Sequence, residues 1–381
     1  MKRINSLVLM LLTLVAFVNA PVLFSQEPYY DLKVKNSVEI TPSKDIQRIN
    51  SCWSNVGAAL IEAEMIRSGK GIYDIAEMDF IHNAYILKAQ AYLDSKGEIK
   101  VTEKGIPFDV FKLMDQYGMA PEPAYMKSDM NVMDKQSGEM DAIIRGTLRL
   151  VLEKENGEFT DRWQNTFDAA LSKYIGDTKM EFKYHGKDYT PKSFAGEAGI
   201  NSSDYIMLTV DGRQENYKPF VLELKNNWDK DEFFNVTSSD LQNAISSAIK
   251  NGYAVGWYGF TDSRMIYAEE DVAIVPAVSM PGQEDNDEST EKVFEPVEER
   301  AISDDERQKN FELLVSGTYN FLTLYGISED KNGNAYIVGK GACEAGDETI
   351  NMSDAFVKLN TVYVLLNKNG LGKELKNKLG L

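Results

Sequence analysis

The sequence predicts an α+β protein with a helical N-terminal lobe, a β-rich C-terminal lobe and a cleft between them. Three observations carry this. Apolar residues from Trp53 to Tyr117 recur at helical spacing and are punctuated by Gly69, Gly97 and Gly118. From about residue 177 the texture changes to short runs rich in β-branched and aromatic residues. The 381 residues, 43% hydrophobic and 10% aromatic, can bury one large core or two lobes and do not read as disordered. Helices followed by strands segregate into layers, and a site between two lobes is the default for such an arrangement.

The elements follow in order. Lys2 and Arg3 precede an apolar stretch from Leu7 to Val18, which reads as an export signal over residues 1–25. Pro21 disfavours a cut after Ala20, so cleavage is expected between Ser25 and Gln26, delivering the chain to the periplasm or outside the cell. No cysteine stands there to take a lipid, and no later stretch is apolar enough to cross a bilayer.

Residues 26–129 form the expected helical lobe. After a polar lead-in, its first helix places Val56, Leu60 and Ala63 on one row and Gly57, Ile61 and Met65 on the next, with Gly57 suited to close packing. Asp74 and Glu77 read as a capping box that opens a second helix through Ile81, Tyr85 and Tyr92. A third runs from Pro107 or Phe108 to Tyr117, before a Pro121-Glu122-Pro123 turn. Residues 130–176 stay helical and read as an insertion.

Residues 177–381 form the expected β-rich lobe. Its strands are Met180 to Tyr184, Tyr205 to Val210, Phe220 to Leu224, Tyr253 to Tyr258, Val272 to Val275, Thr318 to Gly326, Ala335 to Val338 and Thr361 to Asn367, with one helix at Leu241 to Lys250. Asp330-Lys331-Asn332-Gly333-Asn334 signals a hairpin, and the acid-rich stretch 283–307 reads as a solvated loop.

A formal charge of −18 makes nucleic acid and anionic membranes poor partners. The acidic groups Asp229, Asp231, Glu232 and Asp285, Asp287, Glu288 lack the ligand spacing of a calcium loop. Two histidines and two distant cysteines give zinc little material, and no glycine-rich loop cradles phosphate, so no cofactor or metal is expected.

Cys52 opens the first helix, where unpaired backbone N–H groups favour a thiolate. A nucleophile and a buried small hydrophobe are equally compatible with that position alone. Export adds another reading: an even cysteine count in an oxidising compartment is simply explained by a bridge, here Cys52 to Cys343.

The Cys52-Trp53-Ser54 helix start resembles the nucleophile segment of the papain superfamily, in its bleomycin hydrolase or aminopeptidase C branch. The similarity continues through Ile61-Glu62-Ala63-Glu64, Tyr73-Asp74-Ile75-Ala76-Glu77-Met78, Pro121-Glu122-Pro123-Ala124-Tyr125, Tyr189-Thr190-Pro191-Lys192-Ser193-Phe194 and Tyr217-Lys218-Pro219-Phe220-Val221-Leu222-Glu223. The resemblance covers essentially everything after the signal and implies a papain-like fold. It assigns Cys52 as nucleophile and Gln47, one residue out of the family register, as oxyanion-hole residue. Asn320 stands at the family's histidine position and Lys340 at its asparagine position, with Ala342 replacing the shielding tryptophan. An amide is no base near neutral pH, and neither His82, read as a helix-surface residue, nor His185, at a hairpin tip, lies near the expected cleft.

The resemblance therefore implies a catalytically degenerate peptidase homologue that binds peptides or a protein partner in the former cleft, with an oligomer open. By the same resemblance, the C-terminal Lys378-Leu379-Gly380-Leu381 is expected to enter the cleft. Two alternatives stand beside this reading: an active aminopeptidase with an unusual or partner-supplied base, and a redox or structural protein bridged at Cys52 and Cys343.

Overall fold

The computed structural model describes residues 28–44, 52–126, 133–153, 162–178, 180–267, 269–277, 298–315, 317, 320–343 and 349–381. The expected signal over 1–25, Gln47, and the acidic stretch up to 297 lie outside these. Leu32–Leu381 form one compact unit. In the separate unit that precedes it, Tyr29 and Tyr30 pack edge to face with ring centroids 5.1 Å apart.

The helical lobe holds α1 (Cys52–Arg67), α2 (Glu77–Asp94) and α3 (Pro107–Tyr117). α1 is apolar nearly all round, and Trp53, Val56, Ile61 and Met65 are all buried. Such a helix is central rather than amphipathic. Gly57 meets the expectation of close packing, because a Cβ there would lie 2.4 Å from Val110 Cγ2 on α3 and 2.9 Å from the Pro107 carbonyl.

The capping box expected at Asp74 and Glu77 does not form. α2 starts at Glu77 with Ala76 as an N-cap that makes no side-chain bond. Both carboxylates are turned instead to the ammonium of Lys44. Asp74 lies two residues before the Ala76 N-cap and so cannot cap α2, whose first residue is Glu77.

The insertion contains α4 (Met133–Leu152) and α5 (Arg162–Ile175). His82, expected on a helix surface, is 3% exposed and pins this insertion to α2. Its Nδ1 lies 2.8 Å from the Gly176 carbonyl and its Nε2 lies 2.7 Å from Asp168 Oδ1. Periodicity gave no sign of this, because the partners come from a segment more than eighty residues away.

The strands are β1 (Lys33–Ser37), β2 (Tyr125–Met126), β3 (Asp177–Thr178), β4 (Phe182–Tyr184), β5 (Lys187–Tyr189), β6 (Tyr205–Thr209), β7 (Pro219–Val221), β8 (Glu232–Asn235), β9 (Val255–Gly259), β10 (Ile266–Tyr267), β11 (Val272–Ala273), β12 (Asn320–Glu329), β13 (Ala335–Gly341), β14 (Thr349–Ser353) and β15 (Thr361–Asn367). Among the described residues, eleven of them form one sheet in the order β10-β11-β14-β13-β12-β9-β15-β6-β8-β7, with β1 on β12. α1 packs on the middle of this sheet, where a Cβ at Gly256 of β9 would lie 2.8 Å from Val56.

β1 was hidden in the polar lead-in. It pairs antiparallel with β12, Ser37 opposite Gly326, yet all five of its residues are exposed and no apolar alternation marks it. The hairpin at 330–334 forms as expected, with Asp330 Oδ1 accepting from the Asn332 and Asn334 amides at 2.8 and 2.9 Å.

The β half carries more helix than the sequence suggested: α6 (Pro191–Ala198), α7 (Ser238–Lys250), α8 (Asp304–Leu314), α9 (Asp354–Asn360) and α10 (Lys373–Leu379). α8 starts inside the stretch expected to be a solvated loop. Ser303 caps it by accepting from the Glu306 amide, and Phe311 and Leu314 bury its inner face. The acids at 304–306 sit in its first turn, where the helix dipole favours them.

Candidate active site

Three contacts bring the end of β13 to the start of α1. Asn55 Nδ2 donates to the Ala342 carbonyl and, at 3.1 Å, to that of Lys44. Ser43 Oγ donates to the Gly341 carbonyl at 2.8 Å. Trp53 is locked from the other side by its Nε1, which donates to the Glu103 carbonyl at 3.0 Å.

Cys343 follows Ala342 directly, and its sulfur is bonded to that of Cys52, with the two Cα atoms 5.4 Å apart. No cysteine is free. The expectation of a lone thiol at Cys52 is thereby corrected. The contacts of Asn55 and Ser43 place residue 343 within the 4.4 to 6.8 Å that a disulfide needs, which no reading of spacing could establish.

The other assigned positions are spread along the two strands behind this bridge. Asn320 is half-buried at the first position of β12, opposite Gly259 of β9. Lys340 lies on β13 between Thr323 and Thr349 of the neighbouring strands. Its side chain lines a small cavity together with Thr41, Lys44, Asn55, Glu62 and Glu77. The cavity measures about 20 Å³, enough for about one water. Asn55 also lines it, and its side-chain Oδ1 is buried without a hydrogen-bond partner.

The most heavily charged feature beside the bridge was missed in the sequence. Lys44 Nζ lies 2.7 Å from Glu62 Oε1, 2.7 Å from Asp74 Oδ1 and 2.8 Å from the Ile75 carbonyl, and it also pairs with Glu77 Oε1. Glu62 is fully buried and Glu77 is 5% exposed. Glu62 also accepts from the Ile75 amide at 2.7 Å and from the Thr41 hydroxyl. Burial pushes the Glu77 carboxyl up to about 8, against the opposing pull of Lys44, and raises that of Glu62. Burial disfavours the charge on Lys44, but Glu77, Glu62 and Asp74 together raise its pKa.

The three carboxylates are close enough to chelate a metal ion, but the Lys44 ammonium stands among them as a tethered cation. The available signal was Glu62, an acid between Ile61 and Ala63 on a mostly apolar helix.

Three further expectations can be placed. Asp229 and Asp231 do not gather around a cation site but hold Lys112, at 2.8 and 2.5 Å. His185, at a hairpin tip as expected, has φ 46° and stacks on Tyr184 with centroids 4.1 Å apart. The C-terminal segment docks on α7. Lys378 reaches Asp240 at 3.2 Å and lies over the Tyr217 ring, while Leu375 and Leu379 are buried. This face of α7 is where the structure places the segment that the resemblance would send into the cleft.

No family model and no curated protein matches the chain. Among solved structures, PepW from Lactobacillus rhamnosis HN001 aligns over 91% of this chain and 84% of its own, with TM-score 0.65 and 12% identity. The fold is papain-like. At that identity the likeness concerns the fold alone. Procathepsin L 3 from the Tenebrio molitor larval midgut and the Ananas comosus bromelain protease in complex with E64 align at 11% identity each. The first alignment covers 88% of this chain and 70% of its own, and the second 85% and 92%, with TM-scores of 0.35 and 0.34. In this papain-like chain the cysteine that opens α1 is one half of a cross-link.

Proposed function

We propose that this chain is an exported papain-superfamily protein of the bleomycin hydrolase or aminopeptidase C branch that does not hydrolyse peptides. Its remaining work is to hold a peptide or a protein partner where substrate would lie. The Cys52–Cys343 bridge carries this reading. A sulfur already bonded to sulfur offers no lone thiolate to attack a carbonyl.

Reduction alone would not restore catalysis. With Asn320 where the family has its histidine, no base accepts the thiol proton and no acid protonates the leaving amine. Loss of that assistance costs ~10² to 10⁴-fold. Cleft shape and hydrogen-bonding edges survive such losses, which supports binding as the residual function. The bridge spans 291 residues of sequence, and loop-closure entropy for that span gives an upper figure of about 6 kcal/mol of stabilisation. A staple between the lobes suits a scaffold better than an enzyme.

The test uses the purified chain with aminoacyl and dipeptidyl fluorogenic substrates, with and without a dithiol reductant. Neither condition should give turnover above a Cys52→Ser control. Turnover by the wild type in either state would overturn the proposal. The triple variant Asn320→His, Lys340→Asn, Cys343→Gly should gain activity if the scaffold is otherwise intact.

A further inference from the structure

We infer that the seat of the Lys44 ammonium is a hard-cation site, where a divalent ion of calcium's size competes with Nζ for the same oxygens. This does not depend on the function proposed above.

Four oxygens converge on that point. Glu62 Oε1 comes from α1, Glu77 Oε1 from the first residue of α2, and Asp74 Oδ1 and the Ile75 carbonyl from the segment between the two helices. Glu62, Asp74 and Ile75 stand 2.7, 2.7 and 2.8 Å from Nζ, and Glu77 is also in contact. The three carboxylates offer ligand atoms within 4.8 Å of one another. An all-oxygen set suits a hard cation rather than a soft one. Calcium takes oxygens at about 2.3 to 2.6 Å, so these need to close by only a few tenths of an ångström. Magnesium, at about 2.0 to 2.1 Å and in strict octahedral geometry, asks for more.

Asn55 is an independent sign of a ligand. It is 6% exposed and lines the same small cavity as Lys44, Glu62 and Glu77. Its Nδ2 donates to the Lys44 and Ala342 carbonyls, which leaves Oδ1 buried without a partner. An amide oxygen can be satisfied only by a donor or a cation. The cavity has room for about one water, and a water bound to the ion can donate there to Asn55 Oδ1. The ion itself belongs at the Nζ position and not in the cavity, which Lys340 also lines.

Charge and access agree with this. At the seat one ammonium faces three carboxyl groups, so a doubly charged ion in its place improves the balance. The seat opens to solvent on the side of Asp74, whose side chain is 57% exposed, and the Lys44 side chain, 23% exposed, can swing out that way.

The experiment measures Ca²⁺ binding by calorimetry at pH 8, after chelator treatment, for the wild type and for Lys44→Ala. With its own ammonium gone, the variant is expected to bind one Ca²⁺ at least about tenfold tighter than the wild type, with Kd in the range of about 10⁻⁵ to 10⁻³ M. Adding Glu62→Gln to that variant should weaken binding at least about tenfold. Equal affinity in wild type and variant, no binding by the folded variant, or indifference to Glu62→Gln would overturn the inference. Should Lys44→Ala be unfolded without the ion, Ca²⁺ should restore its circular dichroism, and failure to do so counts against the site. The wild type gives a second readout. Acetic anhydride should modify Lys44 at least about twofold more in ~10 mM Ca²⁺ than in chelator, because the displaced ammonium reaches water. An unchanged yield at Lys44 would equally overturn the competition.

Discussion

Replacing Lys44 by Met removes the ammonium that Glu62, Asp74 and Glu77 share while keeping the length of the side chain. In the wild type, Nζ is 2.7 Å from Glu62 Oε1 and 2.7 Å from Asp74 Oδ1 and also contacts Glu77. Asp74 is exposed and can turn to water, but Glu62 and Glu77 are buried and cannot. Removing one partner of a buried charge pair costs about 3 to 5 kcal/mol, and this figure is expected at pH 8. At pH 5 both carboxyls can carry protons in the folded variant, and the loss shrinks to that of hydrogen bonds, about 1 to 2 kcal/mol. Between these limits the sign is fixed. A carboxyl that keeps its proton in the fold but ionises in the unfolded chain binds more protons folded than unfolded, so stability falls by about 1.4 kcal/mol per pH unit for each such group. The wild type shares this slope at Glu77. With Glu77 pushed up to about 8, its contribution is full below the ordinary glutamate value of 4.5 and is lost as pH rises through 8. Urea unfolding of both proteins at pH 5, 6, 7 and 8 reads the difference directly. An equal loss at pH 5 and pH 8, or a loss at pH 8 below about 1 kcal/mol, would refute the electrostatic account of this cluster.

Two other perturbations test how the helical lobe is held. His82 has an acceptor at each ring nitrogen, which suits the doubly protonated ring; burial opposes the charge, but the hydrogen bonds it donates to Asp168 and the Gly176 carbonyl raise its pKa. Its stabilising effect is full below the ordinary histidine value of 6.5 and fades as pH rises through the raised one. Amide exchange over α5, corrected for intrinsic rate, should therefore accelerate between pH 6 and pH 9, and a His82→Gln variant should abolish that dependence. Gly57→Ala would place a methyl 2.4 Å from Val110 Cγ2 and should cost about 1 to 3 kcal/mol by forcing α1 from α3, measured as a fall in the urea midpoint.

How much of this could be read beforehand depends on the range of the interaction. α1, α3 and β15 lie within a residue or two of their expected places, because periodicity and the Gly or Pro signals at their ends are local properties. β1 escaped because it is exposed throughout, with Val34 its one apolar residue, and owes its existence to pairing with β12, about three hundred residues later. Lys44 escaped for a similar reason. Asp74 and Glu77 match a local cap pattern, and only the fold shows that a lysine thirty residues earlier competes for both carboxylates. The pairing of Cys52 with Cys343 was one of three possibilities in the sequence, since a reactive cysteine and a bridged one look alike until the second sulfur is located.

Under the function proposed above, the bridge and the residues at 320 and 340 have a common structural explanation. A papain-like architecture sets the N-terminus of its first helix against the strands of the β lobe, because a nucleophile on one lobe must meet its base on the other. That closeness exists before any chemistry is specified, and here the bonds from Asn55 and Ser43 to the end of β13 maintain it. Against such a background, one cysteine at residue 343 suffices to close a disulfide, with Cα atoms already 5.4 Å apart and no rearrangement of α1 required. Under the function proposed above, a histidine at 320 and an asparagine at 340 would have no thiol to activate while the Cys52 sulfur is held in the bridge. Variants that place both residues there must therefore also remove Cys343.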